Sequence, residues 1–243
     1  MNPTLSKRIV ISCGGKGGVG KTTVASSLAD YYISREIPVT LFDCDTENKT
    51  RGSLSHYHPK ASKLDIRMER GLDQFLDVAL ASDALVALAD MAAGSGRDTF
   101  QWFDTMHEGL AEAGVCFTAV ATITSAASSV ESLFMWADAL RDRVQYLVVK
   151  NRVAGDDFGY FERSTPGQRF LEQAKPFVIE LQNRAREIQS ELENRGLSAA
   201  QAAGANAERR GPILHGGTAR VRASAYARQI DTALESAHAC LVP

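Results

Sequence analysis

Residues 14–23 read GGKGGVGKTT, between the short apolar run RIVISC at 8–13 and the segment TTVASSLADYYISRE, whose apolar spacing is helical. The stretch fits G-x-x-x-x-G-K-[ST], with Gly15, Gly20, Lys21 and Thr22 in the defining places. Glycines let a backbone wrap a phosphate with its N–H groups inward, and the helix that follows adds its positive end. Lys21 then reaches the β- and γ-phosphates, and the Thr22 hydroxyl ligates Mg²⁺. One lysine suffices for this chemistry, and the loop holds two, Lys16 and Lys21.

Outward from the loop, PVTLFD ends a second apolar strand at Asp43, and the whole reads as a βαβ unit with parallel strands. The alternation continues: a helix at 71–81, a strand running into Asp90, strands at 114–124 and 144–151 separated by a helical SSVESLFMWADAL, and a weaker strand ending near Leu181. Near-continuous apolar strands between helices predict an α/β fold, a mostly parallel central sheet with helices on both faces. Such sheets bind ligands at the carboxyl ends of their strands, where the loop, Asp43, Asp45, Asp90 and Asn151 all fall. One domain over 1–243 is expected, with a helical Ala/Arg-rich portion from about 182. From Arg184 to Arg228 that portion carries eight arginines against four glutamates.

Composition narrows the classes. Hydrophobic residues are 44%, charged residues 23% and the net charge −2, so any nucleic-acid binding must come from a local patch. No run approaches a membrane span and no cleavable leader is visible, so a cytoplasmic location, nucleoid- or plasmid-associated, without stable membrane association is expected. Cys13, Cys44, Cys116 and Cys240 form no C-x-x-C pair and read as reduced, packed thiols. His56 and His58 read as solvated loop residues, and Trp102 and Trp136 as core or interface.

KGGVGKT, with Lys16 ahead of it all, resembles the deviant Walker A loop of the ParA/MinD superfamily of P-loop ATPases. The resemblance implies that Lys16 reaches across an ATP-bound homodimer to the partner's nucleotide. It also implies contacts to ATP from Gly15, Lys16, Gly17, Gly18, Val19, Gly20, Lys21, Thr22 and Thr23. LFDCDTENKT is similar to the family's first switch, with Asp45 positioning the attacking water, Asp43 in the Mg²⁺ shell and Asn48 sensing nucleotide. LADMAAG is similar to D-x-x-A-G of the second switch, through Asp90, Ala93 and Gly94. Asn151, with Arg152 beside it, matches the position that reads the adenine edge, with a capping role for Asn151 as the alternative. The absence of a guanine signature favours ATP. No arginine in the chain stands out as a finger, which implies slow hydrolysis.

The D-x-D-x-x-N-x-T switch and, faintly, NRGLSAAQA look like small plasmid stability and conjugative-transfer ATPases of the StbB and TraL type. They imply a plasmid partition or transfer role, nonspecific double-stranded DNA, and a plasmid-encoded DNA-binding adaptor or relaxosome protein as partners. Alternatives are a MinD-like positioning ATPase, a metallocentre-assembly ATPase and a group-transfer enzyme on the same fold.

Overall fold

The computed structural model describes residues 7–45, 52–94, 96–204, 214 and 216–243. Among these residues, seven parallel strands run β1 (Lys7–Cys13), β2 (Val39–Cys44), β3 (Ser62–Lys63), β4 (Val86–Met91), β5 (Val115–Ile123), β6 (Gln145–Asn151) and β7 (Phe177–Leu181). Their order in the sheet is β3-β2-β4-β1-β5-β6-β7. Every residue of β1 and β4 is buried, as strands covered on both faces require.

Side chains of β1 alternate between two apolar layers. Ile9, Ile11 and Cys13 join the layer formed with α3 (Glu69–Ala81), α4 (Gly96–Glu112), α5 (Ala127–Leu140), α6 (Gly159–Arg163) and α7 (Thr165–Ala174). Val10 joins the opposite layer, which takes in α1 (Lys21–Ser34), α2 (Leu54–Tyr57), α8 (Arg186–Arg195), α9 (Ala199–Gly204), α10 (Gly217–Ser236) and α11 (His238–Leu241). The expected strands and both helical layers are present. Trp102 and Trp136 are core residues of the first layer.

The C-terminal helices are laced to α1 and β1. Arg35 pairs with Asp231 at 2.6 Å and Glu235 at 2.9 Å, Tyr32 donates to Leu241 O at 2.9 Å, and Arg8 donates to Val242 O at 2.8 Å. Ile230, Leu234 and Leu241 are thereby buried against the second layer. Among the described residues, no helix is long and apolar enough to cross a membrane.

Candidate nucleotide site

β1 ends at Cys13, and the glycine loop leads into α1, whose N-cap is Gly20. Gly20 has φ +99°, and a Cβ there would stand 2.5 Å from Asn151 Nδ2, so only glycine fits. Gly15, Lys16, Gly17 and Gly18 are exposed, and a Cβ on Gly17 or Gly18 would meet nothing. The loop is therefore an open cradle pinned at three points. Gly15 N donates to Ser132 Oγ of α5 at 2.5 Å, Lys21 Nζ donates to Lys16 O at 3.1 Å, and Asn151 Nδ2 donates to Val19 O at 2.8 Å.

The two lysines sit in different environments. Lys21 is buried, and burial lowers its pKa while the charges of Asp90 and Asp45 push back. Lys16 is exposed and lines a concavity of about 310 Å³ with Ser128, Glu131, Ser132 and Met135 of α5. Thr22 and Thr23 open α1, both half-buried.

Strand register brings the acids together. β4 lies between β1 and β2, and Asp90 is paired with Asp43 on one side and Ser12 on the other. Ser12 Oγ donates to Asp90 Oδ1 at 2.7 Å, and Ser55 N donates to Asp43 Oδ2 at 3.0 Å. The remaining oxygens, Asp43 Oδ1 and Asp90 Oδ2, are buried with no hydrogen-bond partner. Burial pushes the Asp90 carboxyl up to about 6; the Thr22 and Ser12 hydroxyls and the Lys21 charge oppose this, and the Asp43 charge adds to it. Two orphaned anionic oxygens beside a buried ammonium and a threonine hydroxyl fit a divalent cation with a phosphate. Asp45 follows directly after β2, half-buried and close enough to act on Lys21. Gly94, at φ +84°, is exposed in the turn after β4. Asn48 lies outside the described residues.

Asn151 holds the loop rather than an open edge: besides Val19 O, its Oδ1 accepts from Val153 N at 3.3 Å. The capping reading thus describes what it does here. Arg152 is turned away from the loop, with Glu180 at 2.5 Å and Asp156 at 3.7 Å. The histidines correct their reading as solvated loop residues. His56 lies in α2 and donates to Glu193 O at 2.6 Å, and His58 is buried against Ser26 of α1. A four-residue helix is too short to show a period, so its packing was invisible in the sequence. Ser132 was also missed, because its partner Gly15 is 117 positions away.

Residues 10–189 match the family described as CbiA, the CobQ/CobB/MinD/ParA nucleotide binding domain. The chain belongs to this family. Among curated proteins, Protein MobD of Acidithiobacillus ferrooxidans is 24% identical over 153 residues, 63% of this chain and 67% of the relative. The MinD cell division protein of Aquifex aeolicus superposes with a TM-score of 0.52 at 18% identity, over 96% of this chain and 97% of that one. Chloroplast FtsY from Physcomitrella patens gives 0.51 at 14% identity, over 76% and 61%. The two structural likenesses bear out the α/β nucleotide-binding fold, and the family match bears out the ParA/MinD resemblance.

Proposed function

We propose that this chain is an ATP-dependent dimerising switch with slow ATP hydrolysis, acting in plasmid partition or stability or in conjugative DNA transfer. The division between the lysines carries the reading: Lys21 is buried among the acids, while Lys16 is exposed on the same loop. Lys21 and the loop amides from Gly15 to Thr23 bind the phosphates of ATP. Thr22, Asp43 and Asp90 hold Mg²⁺, which supplies charge neutralisation at the phosphates. Asp45 orients the attacking water, and Gly94 lets the second switch follow the γ-phosphate. Lys16 completes the site of a second copy. Asn48 as a nucleotide sensor and an adenine contact by Asn151 or Arg152 belong to the same reading; Arg152 must first leave Glu180.

The DNA surface is drawn from the described arginines that carry no aromatic or acidic partner. Arg184 stacks on Tyr226 at 4.2 Å, and Arg195, though exposed, reaches Glu191 at 3.4 Å; Arg209 and Arg210 lie outside the described residues, and Arg186, Arg220, Arg222 and Arg228 are exposed. Those four supply phosphate contacts to nonspecific double-stranded DNA, with an adaptor or relaxosome protein as second partner. A membrane-positioning role has less support, since Ile230, Leu234 and Leu241 of α10 and α11 are buried in the second layer and, of the larger apolar residues there, Val221 stands exposed. A metallocentre role also has less: among the described residues, no group of three His, Cys, Asp or Glu side chains is arranged for a metal.

Fluorescence anisotropy of a random duplex tests this reading, with Asp45→Ala protein titrated without nucleotide, with ADP and with ATP at two salt concentrations. Binding only with ATP, weakening about tenfold or more at the higher salt, is expected. No binding in any state removes the DNA role. In sedimentation, Lys16→Ala protein should bind ATP but remain monomeric; a dimer as strong as the parent's would end the division of roles.

A further inference from the structure

The Asp43 carboxylate is not held by the sheet alone. Its Oδ2 accepts from Ser55 N, an amide in the first turn of α2, and this bond leaves Oδ1 free for the cation. So short a helix cannot stand by itself, and its other contacts run to α1 and to the C-terminal third. His56 donates to Glu193 O of α8. His58 Nε2 donates to Ser26 O at 3.2 Å, with Asp30 Oδ1 at 3.7 Å. Gln201 Nε2 of α9 donates to Tyr57 O at 3.1 Å and lies 3.4 Å from His58 Nδ1.

Gln201 has a divided side chain. Ser198 and Gln201 form a capping box at the start of α9: Gln201 N donates to Ser198 Oγ at 3.1 Å, and Ser198 N donates to Gln201 Oε1 at 3.4 Å. The oxygen of the amide thus serves its own helix, while the nitrogen reaches 144 positions back to α2 and also bonds the Asp30 carboxylate of α1, which the Ser198 side chain bonds as well.

We propose that Gln201 is a positioning residue for the Mg²⁺ site, acting through α2 to fix the Asp43 carboxylate and so joining the arginine-bearing C-terminal third to the nucleotide. This rests on the ATP–Mg²⁺ reading above. Coupling through such a network requires direct measurement, and the capping box permits a clean one. Gln201→Glu keeps the cap, because glutamate serves that position as well, but loses the donor to Tyr57 O and the one to Asp30. Asp30→Asn, which alters the second contact and spares the first, should leave the Mg²⁺ midpoint in place and so separates the two losses. Ser198→Ala weakens the cap and keeps the donor.

The experiment titrates Mg²⁺ into each protein with a fluorescent ATP analogue, with an EDTA arm and a thermal melt for each variant. For Gln201→Glu, nucleotide affinity in EDTA should stay within about twofold of the parent. Its Mg²⁺ midpoint should rise about fivefold, the effect of one lost hydrogen bond. Ser198→Ala should lower the melting temperature and leave the midpoint in place. Equal midpoint shifts in both variants, or none in Gln201→Glu, would overturn the proposal while the ATP reading stands. A parent that binds no ATP would overturn that reading and the positioning role together.

Discussion

Lys21→Ala protein should bind ATP at least about 100-fold more weakly than the parent. The ammonium is buried at the first turn of α1 and bonded to Lys16 O, so it is held in place before nucleotide arrives. A hydrogen bond to a charged partner is worth about 1.5–3 kcal/mol, and the two phosphate contacts assigned to Lys21 together account for that loss. The change also removes the Lys21 charge that opposes the burial of Asp90, so the Asp90 carboxyl should titrate still higher than about 6. Titration with a fluorescent ATP analogue measures the affinity. A value within about fivefold of the parent would remove Lys21 from the phosphate site. Lys21→Gln, which keeps most of the reach and none of the charge, should resemble Lys21→Ala.

Asp90→Asn protein should be more stable than the parent and worse at holding Mg²⁺·ATP. Burial raises the Asp90 carboxyl from 3.8 to about 6, so the folded chain keeps a proton that the unfolded chain releases. Stability from this group is therefore full below about pH 4 and is lost as the pH rises through 6, amounting to about 3 kcal/mol at neutral pH. Asparagine does not ionise, and its oxygen still accepts from Ser12 Oγ. Its amide nitrogen replaces the orphaned Oδ2 and takes back part of the gain, leaving about 1–2 kcal/mol at pH 7.5. Urea denaturation at pH 7.5 and pH 4.5 should show that advantage at the first pH and little at the second. Mg²⁺-dependent nucleotide binding should fall about tenfold or more in the variant, and in the parent it should weaken below about pH 6. Identical stability of the two proteins at both pH values would refute the buried-charge account. It is a trade of stability for function, of the kind that cation sites impose.

Much of this was legible in the sequence because each cue is local. The glycine loop between an apolar strand and a helix defined the phosphate end of the molecule. Apolar runs ending in Asp43, Asp90 and Asn151 placed those residues at the carboxyl ends of strands before any register was known. What stayed hidden depends on contacts distant in sequence. Ser132 meeting Gly15 and Gln201 meeting Tyr57 leave no periodic trace, and neither does the burial of His58 behind a helix of four residues. Asn151 shows both sides: its position was readable, but its bond to the Val19 carbonyl was not.

The strand order has a consequence for how the chain is made. β1 leaves the ribosome well before its neighbours in the sheet, β4 and β5, and β5 ends only at Ile123. At about 5–20 residues per second, its apolar segment waits roughly 5–20 s for both edges to be covered. Nascent chains arrested before Ile123 should therefore be the ones that chaperones capture, with the glycine loop still unformed.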